Sequence, residues 1–191
     1  IKDEFVSRLI EERLKTVKEG DLLDINTDFG VLISEKAAKE VESQVQHTMD
    51  QGAKLVYGGV RRGAYYMPTV LDNCTKDMDI CNDMEIFGPV FPVFTFKTLD
   101  EAIEIAETSE YGLSAGVITE NLKDAMKVAA SLQTGMVAVN GSGGFRAQEL
   151  PFGGGKKMSG NSRECMSSVL EEVTQEKSII FRYAMKKYNE T

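Results

Sequence analysis

Residues 90–140 set the tightest limit on what this chain can fold into. Val90–Phe96 reads as a strand, and Thr98-Leu99-Asp100-Glu101 has the form of a capping box ahead of Ala102, Ile103 and Ala106. Ser114–Thr119 is a second strand, Asn121–Gln133 a second helix stopped by Gly135, and Met136–Asn140 a third strand. A β-α-β-α-β run with joints this short implies parallel strands and right-handed crossovers. Pro92 pushes the first strand toward a sheet edge or a bend, because proline cannot donate to a ladder. The predicted class is therefore α/β, built on an open parallel sheet. In such sheets ligands sit beyond the carboxyl ends of the strands, so the loop leaving Asn140 is favoured as site material.

The flanks are less regular. Ile1, Phe5, Val6, Leu9, Ile10, Leu14 and Val17 share one face of a helix predicted to end near Gly20. A second helix is expected from Ser34 to Gln51, with Ala37, Val41, Val45 and Met49 spaced by four and Gly52 behind it. The run 55–57 (LVY) reads as a strand, 58–84 as mostly irregular, 163–174 as a helix and Lys177–Tyr183 as a last strand. The chain opens on Ile1 with no methionine and no signal-peptide pattern, inside or just before its first helix, which reads as a fragment or a trimmed form.

Bulk properties exclude several functions. The net charge is −8 with no basic stripe, which argues against nucleic acid and anionic membrane surfaces as partners. No apolar run approaches the ~18 residues of a membrane span. Three cysteines, at 74, 81 and 165, lack CxxC spacing; they fit a reducing compartment and predict a cytoplasmic location. One histidine, His47, leaves no cluster for a metal site, and in its polar run it reads as a helical surface residue.

The stretch 85–94 (EIFGPVFPVF) raises a question of its own. A carboxylate at an otherwise apolar strand entry is either a solvated loop residue or has a ligand, since burying it without hydrogen bonds is costly. The loop 140–160 (NGSGGFRAQELPFGGGKKMSG) carries seven glycines in twenty-one residues, which invites a phosphate-cradle reading. That reading fails. A GxxxxGK[ST] loop would need Lys157 to be Ser or Thr and Leu150 to be Gly, and a GxGxxG fingerprint would need Gly at Arg146. The glycines instead let backbone pass close to backbone or to a ligand, with Phe145 and Phe152 projecting.

Two blocks carry a resemblance. Glu85-Ile86-Phe87-Gly88-Pro89-Val90 and Pro151-Phe152-Gly153-Gly154, continuing through Lys156-Lys157-Met158-Ser159-Gly160 to Arg163-Glu164, resemble E-[IV]-FGPV and PFGG-x-K-x-SG-x-x-RE of the NAD(P)-dependent aldehyde dehydrogenases. Their order and their separation match, and the β-α-β-α-β run lies between them. DEFVSRL in the opening helix and the QGAKLVYGG stretch extend the likeness over essentially the whole chain. Asn161-Ser162 departs from the usual Gly-x-Gly pattern.

The resemblance implies the second half of a catalytic domain over residues 1–174, followed at 175–191 by an oligomerisation strand and tail. It implies oxidation of a small-molecule aldehyde with NAD or NADP through a cysteine thioester, in a homodimer or homotetramer. The nucleophilic cysteine and the general-base glutamate would lie upstream, since none of Cys74, Cys81 and Cys165 stands in a GQxC-type setting; this chain alone is expected to be inactive. By resemblance Glu85 receives the hydroxyls of the cofactor ribose, Phe87 packs beside the nicotinamide, and Phe152, with Phe145 in a less certain register, lines the substrate pocket. Arg146 either meets an acidic substrate or is a surface arginine. The rival reading is a standalone, non-catalytic binding or assembly module of the same fold.

Overall fold

The computed structural model describes residues 1–154 and 157–182. Two sheets carry the molecule. The first has three strands in the order β1 (Lys54–Tyr57), β4 (Thr69–Cys74), β5 (Val90–Phe94), with β1 antiparallel and β5 parallel to β4. The second pairs β6 (Ser114–Val117) with β7 (Met136–Val139) in parallel. A small antiparallel ribbon joins β2 (Arg61–Arg62) to β3 (Tyr65–Tyr66).

The helices form close to the predicted spans, each opened by a side-chain cap. In α2 (Glu35–Asp50) the Ser34 hydroxyl accepts from Ala37 N–H, and in α3 (Leu99–Glu107) Thr98 accepts from Glu101 N–H. In α4 (Leu122–Ser131) the Asn121 side chain accepts from Lys123 and Asp124. The capping box at α3 is displaced by one residue, because Glu101 reaches back to Lys97 N–H rather than to Thr98. A short α5 covers Met166–Glu172. The opening helix is not continuous to Gly20: α1 (Lys2–Arg8) passes into a π-helical turn at Leu9–Arg13 and a 3₁₀ turn at Leu14–Thr16.

The core sits on both faces of β4. Leu71 packs with Val41 and Val45 of α2, Ala53, Tyr66, Cys74 and Met78, while its neighbour Val70 faces Val6 and Leu14 of the opening helix. This is the strand alternation expected of a sheet sandwiched between helices. The reading of 58–84 as mostly irregular holds for most of its residues but missed this strand, the most buried among the described residues. Pro68 and the polar pair Asp72-Asn73 disguise it. Asp72 is tolerated because Lys2 Nζ lies 2.6 Å away and Asn73 N–H donates to it.

The β-α-β-α-β run is present as β5-α3-β6-α4-β7, but β5 and β6 are not neighbours. Among the described residues each keeps an unpaired edge, and between them lies an apolar groove of about 710 Å³ lined by Phe5, Phe94, Phe96, Ala102, Ile105 and Gly116. Pro92 accordingly sits on an edge strand, opposite Leu71. Of the expected last strand, Tyr183 lies outside the described residues. Among the described residues, 177–182 form no ladder, and Ile179, Ile180 and Phe181 are exposed. A strand needs a neighbour to be one, and the described residues offer that stretch none.

Candidate functional site

The segment 75–89 connects two parallel strands and carries Glu85 and Phe87 on one outward side. Ile86, between them, packs against the α2 core, and a Cβ at Gly88 would lie 2.7 Å from a methyl of Val41. Gln44 Nε2 donates to the Glu85 carbonyl at 3.3 Å. The two side chains therefore project from a fixed backbone. Phe87 is 78% exposed, and among the described residues the Glu85 carboxylate has neither a hydrogen bond nor an ion pair. An outward carboxylate two residues from an outward aromatic fits a ligand with a vicinal diol and a flat ring: the diol donates, and the ring covers apolar surface.

The second wall begins where β7 ends. Asn140 adopts a left-handed backbone (φ 54°) that turns the chain off the strand, and its Oδ1 accepts from Thr119 N–H at 2.9 Å. The loop returns at Phe152, which forms a two-hydrogen-bond bridge with Glu164 (2.9 and 2.6 Å). The Arg146 guanidinium lies over the Phe152 ring, 4.7 Å from its centroid, and donates to Glu164 Oε2 at 2.6 Å. The structure thus brings Arg146, Phe152 and Glu164 together. Phe145 stands apart, 64% exposed on the same loop. Gly153 sits at φ 152° with its backbone against Ser162 O, and its own carbonyl lies against Gly135, so a side chain at either position meets main chain. These glycines serve close backbone packing rather than anion binding.

A turn at 107–112, which sequence reasoning missed, holds both walls. Asp83, in a left-handed conformation two residues before Glu85, accepts from Ser109 Oγ (2.6 Å) and from Glu110 N–H (2.8 Å). From the other side Lys157 Nζ donates to Ser109 O (2.7 Å) and pairs with Glu107 at 3.1 Å, both side chains largely shielded. Met158 N–H donates to Glu110 O, and Ser159 Oγ accepts from Gly112 N–H. The only sequence trace of this clamp is the Lys and Ser-Gly of the second block. That block also departs from the pattern: four residues, 155–158, stand between Gly154 and Ser159 where PFGG-x-K-x-SG has three.

Burial pushes the Cys74 thiol up to about 11 and also raises Cys81, which suits core residues. Cys165, at the start of α5, is lowered by hydrogen bonding with the Ser167 and Ser168 hydroxyls. His47 Nε2 lies 2.7 Å from Asp79 Oδ2, and this contact holds the Asp79 carboxyl below its ordinary range. Among the described residues no group of three or more His, Cys, Asp or Glu side chains could hold a metal ion, and no helix is long and apolar enough to cross a membrane.

Comparison with known proteins places this geometry. Residues 1–179 match the model of the aldehyde dehydrogenase family. The chain is 40% identical over 176 residues to a 3-sulfolactaldehyde dehydrogenase of Priestia aryabhattai, covering 92% of this chain and 36% of that protein. It is 42% identical to a succinate-semialdehyde dehydrogenase [NADP(+)] of Deinococcus radiodurans, covering 93% and 37%. Among solved structures, an aldehyde dehydrogenase of Physcomitrella patens in complex with its reaction product succinate superposes with a TM-score of 0.89 at 30% identity, over 97% of this chain and 38% of that one. A glyceraldehyde-3-phosphate dehydrogenase of Methanocaldococcus jannaschii complexed with NADP gives 0.83 at 37% identity, over 89% and 36%. The chain spans a little over a third of the length of the relatives it matches. With the two loop walls, the paired glycines and a family model covering nearly all of its length, the chain belongs to the aldehyde dehydrogenase family.

Proposed function

We propose that this chain supplies the cofactor-facing and substrate-facing walls of an NAD(P)-dependent aldehyde dehydrogenase, which oxidises an aldehyde to a carboxylic acid. The observation that carries the proposal is the outward pair Glu85 and Phe87 on an anchored loop, an unpaired carboxylate beside an uncovered ring. Glu85 accepts hydrogen bonds from the ribose hydroxyls, and Phe87 lies beside the nicotinamide, which when bound supplies the hydride acceptor. Holding the ribose end fixes the distance over which hydride must move, a positioning contribution rather than a chemical one. Phe152 and Phe145 shield the aldehyde side chain from water. The nucleophilic cysteine and the general-base glutamate come from a segment preceding this one, the cysteine forming the thioester and the glutamate activating the water that cleaves it.

In this reading residues 1–174 are part of the catalytic domain, and 175–191 are an oligomerisation strand and tail in a cytoplasmic homodimer or homotetramer. The choice between NAD and NADP belongs to residues that read the 2′ position of the adenosine ribose, which are outside this chain.

A chimera tests it. Residues 1–191 replace the matching part of the Deinococcus radiodurans relative, and reduced cofactor is followed by absorbance. The chimera is expected to oxidise aldehydes, and the 191-residue chain alone is not. Turnover by the chain alone that disappears on substituting Cys74, Cys81 or Cys165 overturns the proposal, as does a folded chimera without cofactor binding.

A further inference from the structure

We propose that Lys157 is a positioning residue for hydride transfer, one that sets the aldehyde-facing loop against the cofactor-facing segment by gripping the turn at 107–112. This rests on the function proposed above and adds a residue that acts through others. Its ammonium is matched to its surroundings. It has three N–H donors, and it meets Ser109 O at 2.7 Å, Glu107 Oε2 at 3.1 Å and, at longer range, Glu107 O at 3.5 Å. The lysine stem runs past Gly112, where an added Cβ would lie 3.1 Å from Lys157 Cδ and 2.5 Å from Gln133 O. The Lys157 side chain is 15% exposed and that of Glu107 23%, so water and salt screen this pair less than the exposed pairs of the chain. The second oxygen of Glu107 accepts from Gln133 N–H at 2.7 Å, just ahead of β7. Lys157 is thus tied both to the end of α3 and to the approach to the strand whose far end launches the loop carrying Phe152.

Ser109 is the joint. Lys157 takes its carbonyl while Asp83, two residues before Glu85, takes its hydroxyl at 2.6 Å. A second link runs in parallel, since Met158 N–H donates to Glu110 O and Glu110 N–H donates to Asp83. On the aldehyde side, the chain from Phe152 to Glu164 is closed at its base by two backbone hydrogen bonds and tied to the turn by Lys157, Met158 and Ser159. Of these three ties, Lys157 brings the charge. Hydride moves between two carbons that must be held close and aligned, and a misplacement of about 1 Å can cost about 100-fold.

Removing Lys157 alone leaves Glu107 shielded without its cation, which costs stability whatever else the lysine does. The double variant K157M/E107Q avoids this, because it removes both charges, preserves both lengths and keeps an oxygen for Gln133 N–H. It is made in the complete enzyme containing this segment, or in the chimera described above. Three quantities are measured: melting temperature, cofactor affinity by fluorescence titration, and the single-turnover rate of reduced-cofactor formation. The aldehyde is succinate semialdehyde, with and without deuterium at the aldehyde carbon. The double variant is expected to melt close to the parent and to bind cofactor within about twofold, since the segment of Glu85 keeps its Asp83 and Gln44 anchors. Its hydride step is expected to slow about 10- to 100-fold, with a larger deuterium isotope effect. A lysine that only stabilises the fold predicts instead that the double variant recovers rate along with stability. A hydride step within about twofold of the parent's, or a double variant that does not fold, overturns the inference and leaves the proposed function standing. Absence of turnover in the unmutated enzyme overturns both.

Discussion

Asp72 shows how a charged side chain survives on the innermost strand. Burial acts to raise its carboxyl, but the Lys2 ammonium at 2.6 Å and the Asn73 N–H outweigh burial and hold it below the usual carboxylate range. A carboxyl whose folded pKa is depressed contributes stability in full above its unfolded value, about 3.9, and loses it as pH falls through the folded one. Melting temperatures between pH 3 and 7 should therefore drop below about pH 4 in the parent chain. In Asp72→Asn they should start lower and drop less steeply, and an equal acid slope in both would refute the assignment. Glu85 is the opposite case, a carboxylate with no protein partner among the described residues. In the complete enzyme Glu85→Gln keeps the shape and loses the charge, so cofactor affinity in a fluorescence titration should weaken by about tenfold. Unchanged affinity and an unchanged hydride step would return Glu85 to a solvated loop residue.

At the scale of elements, what could be read beforehand follows from how local each signal is. The helices announced themselves locally, α2 through apolar residues spaced by four, α3 through the Thr98 capping box and α4 through its stop at Gly135, because such signals are settled within a few residues of chain. Strand β4 did not: it is covered on both faces, so it has no alternation of apolar with polar residues, and its Asp72 is made tolerable by a lysine seventy positions away. The two proposed walls stand in the sequence as motifs, Glu85 and Phe87 in one and Phe152 in the other. Their common support does not, since it rests on hydrogen bonds between residues 26 to 48 apart in sequence. That support makes its own prediction. Asp83→Gly retains a residue suited to φ 64° while removing the acceptor for Ser109 and Glu110. Stability should fall by about 1–3 kcal/mol. Amide exchange should quicken at 85–88 and at Glu110 while β4 keeps its protection. Uniform quickening across β4 would mean a global effect and no clamp.

The whole molecule carries two open features, the groove between the unpaired edges of β5 and β6 and the exposed run Ile179-Ile180-Phe181. Unpaired edges and consecutive exposed apolar residues are templates for association. The isolated chain should self-associate, and removal of residues 177–191 should give smaller, more soluble particles by light scattering coupled to size exclusion. A parent chain that runs as a clean monomer, with truncation changing nothing, would leave the tail without an adhesive role. The clamp has a different reach. Under the proposed function both walls hang from a single bracket at 107–112, so the width of the gap between cofactor and aldehyde would be a mechanical property of a turn that meets neither. Softening that bracket would leave each wall intact and yet let their spacing drift. A substitution at Ser109 or Gly112 would then register in the laboratory as a catalytic defect, with every residue that meets a ligand still in its place.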